Sequence, residues 1–257
     1  MSSVIRSQSI GIKDRSFNYG DGIFTTMQVR AGEIQLWPLH LQRLQASARQ
    51  LGFTDIDWLL LQQQALAAVN QPEQVIKILI SRGEGGRGYG CDGISAPHIY
   101  ISVSAMPDYK RMQQQGVCLQ VAKLQLAVQP LLAGLKHTSR LEQVLLKQEL
   151  ANSDADELLV LDQHGFVTEA SAANVFMYRD GRWHTPTLAR AGVAGVMRQH
   201  IMQQADIHLV DWLLPELANV DALFICNALM AIVPVSHLQS RPLSVSLVQE
   251  FAKQVIC

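Results

Sequence analysis

Lysine carries the one side-chain amine that can attack an aldehyde, and this chain holds seven lysines. Lys136 stands apart from the others. It follows the apolar run Leu131-Leu-Ala-Gly-Leu135 and precedes a predicted helix start. An apolar setting disfavours an ammonium ion, lowers the pKa of the amine and makes it a better nucleophile. Lys136 therefore suits Schiff-base chemistry with an aldehyde cofactor, although a loop lysine that snorkels to water would read the same locally. Glu169 lies in Gly165-Phe-Val-Thr-Glu169-Ala-Ser171-Ala-Ala-Asn174-Val-Phe176, where an apolar strand begins. A buried carboxylate there needs a cationic partner, and a protonated pyridine nitrogen would serve. The plainer alternative is a surface glutamate at a strand end.

Two further features suit an anion. Gly195 opens a helix in Ala191-Gly-Val-Ala-Gly195-Val196-Met197-Arg198. Backbone N–H groups at a helix start point at one spot, and the helix dipole adds to them; ordinary capping would look the same. Arg43, in His40-Leu-Gln-Arg43-Leu44, lies beside the apolar stripe of an earlier helix. A guanidinium there can clamp a phosphate bidentately, or simply face solvent.

The elements that must position these residues follow from pattern and punctuation. Gly32 is read as a turn between strands 25–30 and 33–37. Pro38 suits the first turn of a helix over 38–51, with Leu41, Leu44 and Leu51 on one face. Asp57 caps a helix over 58–69. Strand 74–80 runs into the glycine-rich loop Gly83-Glu-Gly-Gly-Arg-Gly-Tyr-Gly90, and 98–104 is a further strand. The second half opens with a strand at 117–122 and a helix from about 137 to 151. Strands follow at 157–161, 174–178, 207–210 and 222–225, with helices at 195–204 and 245–255. Irregular alternation with local hairpins predicts an α+β fold of two lobes, each a mixed sheet flanked by helices. The expected division is a small N-terminal lobe over 1–115 and a larger C-terminal lobe over 116–257 carrying Lys136.

Composition narrows the function classes. The 257 residues are 48% hydrophobic and 17% charged, with a formal net charge of −1. That balance supports a folded core and offers no bulk attraction to nucleic acid or an anionic membrane. The apolar run from Asp221 to Val235 is interrupted by Asn227 and Pro234 and is too short to span a bilayer. The first residues, Met1-Ser-Ser-Val-Ile-Arg-Ser, lack a basic-then-apolar export pattern. Cys91, Cys118, Cys226 and Cys257 are scattered, with no Cys-x-x-Cys pair. The expectation is free thiols in a cytoplasmic protein with no metal site.

In order along one chain, these residues resemble the fold-type IV pyridoxal-phosphate enzymes, the family of branched-chain and D-amino-acid aminotransferases. The stretch Glu169-x-Ser171-x-x-Asn174-Val-Phe176, then Thr185, then Val193-x-Gly195-Val196-x-Arg198 follows the class-IV aminotransferase signature. One departure is Trp183, where the pattern usually has a smaller aliphatic residue or Phe. Phe17-Asn-Tyr-Gly-Asp-Gly-Ile-Phe-Thr-Thr26, Ser81-Arg-Gly-Glu-Gly-Gly-Arg-Gly-Tyr89, Leu132-Ala-Gly-Leu-Lys-His137, Ser139-Arg-Leu-Glu-Gln-Val144 and Cys226-Asn-Ala-Leu-Met230 resemble a lyase branch of that family. Together they span about residues 15 to 235.

The resemblance implies a D-amino-acid aminotransferase-like fold, pyridoxal 5'-phosphate as cofactor, and conversion of 4-amino-4-deoxychorismate to 4-aminobenzoate and pyruvate. A D-amino-acid or branched-chain aminotransferase is the alternative. Lys136 would hold the cofactor covalently and Glu169 would face its pyridine nitrogen. Arg43 and the backbone of Val196 and Met197 would hold the phosphate, with Asn174 in the same cofactor set. Ala228 sits where the family often has a hydroxyl residue, so only its backbone could help. Leu141 replaces a tyrosine common in the transaminases, and Arg140 precedes it. Arg87, Arg82 and Lys77 are the candidates for the two substrate carboxylates, with Tyr19 and Phe24 as pocket walls. Thr26 could assist Lys136 in proton relay, and His137 could shape the lysine's surroundings. The resemblance also implies a homodimer with the active site between the two lobes and near the partner subunit.

Overall fold

Side chains along residues 22–30 alternate, Ile23, Thr25, Met27 and Val29 turning inward and Phe24, Thr26 and Gln28 lying less covered. That period of two marks a strand covered on one face. The strand anchors one of the two units of a computed structural model, which describes residues 3–5, 10–94 and 96–256. Cys257 and most of the N-terminal stretch considered for an export pattern lie outside the described residues.

The first unit comprises residues 1–107 together with 136–140. Its elements are β1 (Ser3–Ile5), α1 (Arg15–Tyr19), β2 (Gly22–Arg30), β3 (Glu33–Ile34), α2 (Trp37–Gln50), α3 (Trp58–Ala67), β4 (Gln74–Ser81) and β5 (His98–Ser104). The sheet order is β1-β5-β4-β2-β3, antiparallel except for the parallel β1–β5 pair. Its core gathers Ile23, Met27, Leu44, Phe53, Leu61, Ile76, Ile78 and Ile99. The strand expected over 33–37 stops at Ile34, because Leu36 takes a left-handed conformation (φ 54°) and α2 starts at Trp37. The buried residues of α2 are His40, Leu44, Ser47 and Ala48 rather than Leu41, Leu44 and Leu51. His40 thus lies inward, and Arg43 lies beside that face.

The second unit comprises residues 108–135 and 141–257. It contains α4 (Lys110–Gln115), β6 (Val117–Val121), α5 (Leu141–Ala151), β7 (Glu157–Leu161), β8 (Val167–Ala170), β9 (Asn174–Arg179) and β10 (Arg182–Pro186). Then come α6 (Val196–Gln204), β11 (Ile207–Val210), a 3-10 turn (Leu214–Asn219), β12 (Ala222–Asn227), β13 (Ala231–Leu238), β14 (Arg241–Pro242) and α7 (Val245–Val255). The mixed sheet runs β11-β10-β9-β12-β13-β6-β7-β8, with β14 pairing β13. Phe176 and Phe224 stack at its centre with ring centroids 4.6 Å apart. Strands at 167–170, 182–186 and 231–238 go beyond those read from the sequence. The apolar run through Val235 divides into the β12–β13 hairpin.

Two positional expectations change. The unit boundary falls at 107/108 instead of 115/116, and Lys136 belongs with the first unit although its position in the chain is in the second half. The helix expected from 137 starts at Leu141. The placement of Lys136 and the later helix start have one cause: residues 136–138 pair with the start of β2. Phe24 N–H donates to Lys136 O at 2.9 Å, Thr138 N–H donates to Gly22 O at 2.8 Å, and Ile23 bridges His137. Backbone groups committed to a sheet edge cannot also open a helix.

Candidate active site

In the first unit, Lys136 Nζ lies 4.5 Å from the ring centroid of Phe24, and Lys77 Nζ lies 4.8 Å from the same centroid. An aromatic face attracts an ammonium and screens it from water. Thr26 pairs in register with Lys77 and shares the strand face of Phe24. Lys136, Phe24, Lys77 and Thr26 are thus brought to one side of the sheet. His137 follows the lysine. Burial, with the Arg140 cation, pushes its pKa down to about 4, so it is neutral at physiological pH.

On the covered side, Arg43 donates from one terminal nitrogen to Thr25 Oγ1 at 2.5 Å. Its Nε is sealed from solvent with no partner among the described residues. Burial alone lowers its pKa to about 10. A buried cation with an unused N–H suits an anion.

The glycine-rich loop is tied down by a residue that sequence reasoning missed. Arg15 is 4% exposed. Its guanidinium donates to the carbonyls of Gly88 and Gly90 at 3.2 Å and of Tyr89 at 3.0 Å, while Nε donates to Asp21 at 2.8 Å. Arg82 donates to the same Asp21 oxygen at 2.8 Å, to Leu51 O at 2.7 Å and to Gly52 O at 3.0 Å, and it covers the Phe53 ring. These two arginines hold Asp21 below its ordinary pKa against the opposing effect of its burial. The fold engages Arg82 through all three guanidinium nitrogens, whereas Arg87 on the loop is exposed. Tyr19 packs edge-on against Tyr89 with centroids 5.3 Å apart. A signal for Arg15 was available: it opens α1 and stands six residues before Asp21, just past the end of that helix.

In the second unit, Glu169 is 5% exposed on β8. Its Oε2 accepts from Val193 N–H at 2.8 Å. Gly192, at φ +86°, passes so close that a Cβ there would meet Glu169 Oε2 at 3.1 Å and Thr168 Cγ2 at 2.9 Å. Asn174 spans the next turn, donating to Val193 O at 2.8 Å and accepting from Gly195 N–H at 3.1 Å. A Cβ on Gly195 would lie 2.0 Å from Asn174 Oδ1. Gly195 therefore has a steric reason to be glycine at the N-cap of α6. The first bond from within the helix runs from Gln199 N–H to Gly195 O. The N–H groups of Val196, Met197 and Arg198 have no intrahelical acceptor, so the helix start can receive an anion. Arg198 turns away, donating to Thr185 Oγ1 and Pro186 O. Ala228 sits in the β12–β13 turn, where Asn227 Oδ1 accepts from the N–H groups of Leu229 and Met230.

Each unit by itself offers groups that suit pyridoxal phosphate: the first an amine beside an aromatic face and a sealed arginine with an unused N–H, the second a buried carboxylate and a helix start built on glycine. Among the described residues, no cluster of His, Cys, Asp and Glu could hold a metal ion, and no helix is long and apolar enough to cross a membrane.

Comparison with known proteins gives the same direction. The amino-transferase class IV family matches residues 22–238. Aminodeoxychorismate lyase of Vibrio harveyi is 37% identical over 238 residues, covering 90% of this chain and 88% of that protein. A putative branched-chain-amino-acid aminotransferase of Methanocaldococcus jannaschii is 26% identical, covering 97% of this chain and 90% of that protein. The crystal structure of 4-amino-4-deoxychorismate lyase from Pseudomonas aeruginosa matches with a TM-score of 0.92 at 38% identity, over 96% of this chain and 94% of that one. The branched-chain amino acid aminotransferase of Escherichia coli matches with a TM-score of 0.84 at 19% identity, over 95% of this chain and 88% of that one, which speaks for the fold alone. The fold is the fold-type IV architecture expected from the sequence.

Proposed function

The chain belongs to the amino-transferase class IV family, and we propose on that premise that it is a pyridoxal-phosphate-dependent lyase converting 4-amino-4-deoxychorismate to 4-aminobenzoate and pyruvate. The observation that carries the reading is the 37% identity to a lyase of this name over nine-tenths of the chain. The Arg-Gly-Glu-Gly-Gly-Arg-Gly loop anchored by Arg15 supports it.

Bound pyridoxal phosphate supplies an electron sink for the carbon that bears the substrate's amine. The chain's own residues do the rest. Lys136 would hold the cofactor's aldehyde carbon, and its amine would accept the proton from the substrate's ring carbon. Phe24 keeps water from the amine, and the Thr26 hydroxyl relays its proton. Glu169 would hold a proton on the pyridine nitrogen, and the Val193 N–H fixes which way the carboxylate points. Arg43 and the N–H groups of Val196 and Met197 would hold the phosphate, aided by the backbone of Ala228. Asn174 holds the turn that aims that helix start. Arg87 and Lys77 receive the substrate carboxylates, and Tyr19 walls the pocket; Arg82 is left to its structural bonds. Loss of that proton and of the C–O bond to the enolpyruvyl group would leave an aromatic ring, and the departing enolpyruvate would take up a proton to become pyruvate. We assign the working form as a cytoplasmic homodimer.

The test is 4-aminobenzoate formation by cofactor-loaded protein, with Lys136→Ala as control. The variant should lose at least about 10³-fold in turnover. A variant that keeps the wild-type rate overturns the role of Lys136.

A further inference from the structure

Arg43 alone does not explain its own aim. A long side chain with an unused N–H must be held by something before an anion arrives, or ordering it costs part of the binding energy. The holder is visible in the hydrogen bonds. Thr25 Oγ1 accepts from Arg43 at 2.5 Å and lies 2.6 Å from His40 Nδ1. Thr25 is wholly buried and His40 is 1% exposed, so no water competes.

A threonine hydroxyl has one hydrogen to give and two lone pairs that accept. The guanidinium only donates, so Thr25 Oγ1 accepts from it. Burial and the Arg43 and Lys136 cations favour a neutral His40 ring. Nδ1 of that ring meets the same Thr25 oxygen, as acceptor or donor according to its tautomer. Both anchors belong to regular elements: His40 is one turn of α2 before Arg43, and Thr25 is central in β2.

We propose that His40 and Thr25 are positioning residues that hold Arg43 ready for the cofactor's phosphate. This rests on the cofactor reading of Arg43 given above. Neither residue touches the phosphate. Their effect is on how tightly the anion is held.

The experiment uses cofactor-depleted full-length protein, titrated with pyridoxal phosphate by absorbance and with inorganic phosphate by calorimetry. Unfolding midpoints are measured alongside. Thr25→Val is isosteric but cannot accept, and it should weaken both ligands about tenfold. Thr25→Ser should restore binding to within about twofold. At position 40, Asn places its amide, which can accept or donate, near the site of Nδ1, whereas Gln reaches the site of Nε2. His40→Asn should therefore stay near wild type, and His40→Gln should resemble Thr25→Val. A purely structural role would lower the unfolding midpoint of Thr25→Val without moving phosphate affinity, and that result overturns the proposal. So does equal binding by the Asn and Gln variants. If Thr25→Val does not fold, the position-40 pair decides. Wild-type protein that binds neither ligand overturns the cofactor reading itself; wild-type binding with an unaffected Thr25→Val overturns only the positioning role.

Discussion

Gly195→Ala makes a demanding test of the helix-start site, because the backbone there tolerates alanine and only the neighbour does not. Gly195 has φ −69° and ψ 144°, an ordinary extended conformation. The added methyl would sit 2.0 Å from Asn174 Oδ1 and 3.2 Å from its Cγ. The Asn174 amide must swing away, and both of its bonds go: the donation to Val193 O at 2.8 Å and the acceptance from Gly195 N–H at 3.1 Å. Two hydrogen bonds lost at a buried turn cost about 2 kcal/mol. Asn174→Ala loses the same two bonds, also at about 2 kcal/mol, but it removes the obstacle. The double variant should therefore be no less stable than Asn174→Ala, giving a coupling of about 2 kcal/mol. Urea unfolding of the four proteins measures it. Additive losses summing to about 4 kcal/mol would refute the steric argument.

Two further outcomes follow from the first unit. Arg15→Lys keeps a charge but cannot serve the carbonyls of Gly88, Tyr89 and Gly90 together with Asp21. The loop should open about 2 kcal/mol more readily, and trypsin should cut at the exposed Arg87 at least about tenfold faster; an unchanged rate contradicts the anchor. His137 has a folded pKa of about 4, below its ordinary 6.5. The unfolded chain binds that proton first, so its stability contribution is complete above pH 6.5 and is lost as pH falls toward 4. With a side chain partly open to solvent, the loss is on the order of 1–2 kcal/mol. His137→Asn should flatten the pH dependence of the unfolding free energy, and an unchanged slope speaks against it.

What could be read from the sequence follows a physical division. Glu169, Asn174 and Gly195 stand close along the chain, so their relation survives in linear spacing, and the structure ties Glu169 and Asn174 to the same short segment, 193–195. The apolar run before Lys136 sets it apart from the other lysines. Its membership of the first unit is not legible there, because that depends on pairing with β2 more than a hundred residues earlier. Strand parity was equally hidden. Thr25 and Thr26 are chemically identical neighbours, and only the packing of α2 over one face shows that Thr25 meets Arg43. Helix α2 shows the same limit. Leucine spacing suggested a stripe through Leu41 and Leu51, but the face that packs includes His40 and Ser47, polar residues whose burial depends on partners in other elements. Arg82 and Arg87 look equivalent in a glycine-rich loop, and Asp21 with the carbonyls of Leu51 and Gly52 separates them.

The most direct measurement is product stoichiometry on 4-amino-4-deoxychorismate with no keto acid present. Bond cleavage without amino transfer predicts one pyruvate for every 4-aminobenzoate over many turnovers, with no acceptor required. Turnover that begins only when a keto acid is added, with an amino acid as product, would contradict the lyase assignment and make the chain a transaminase.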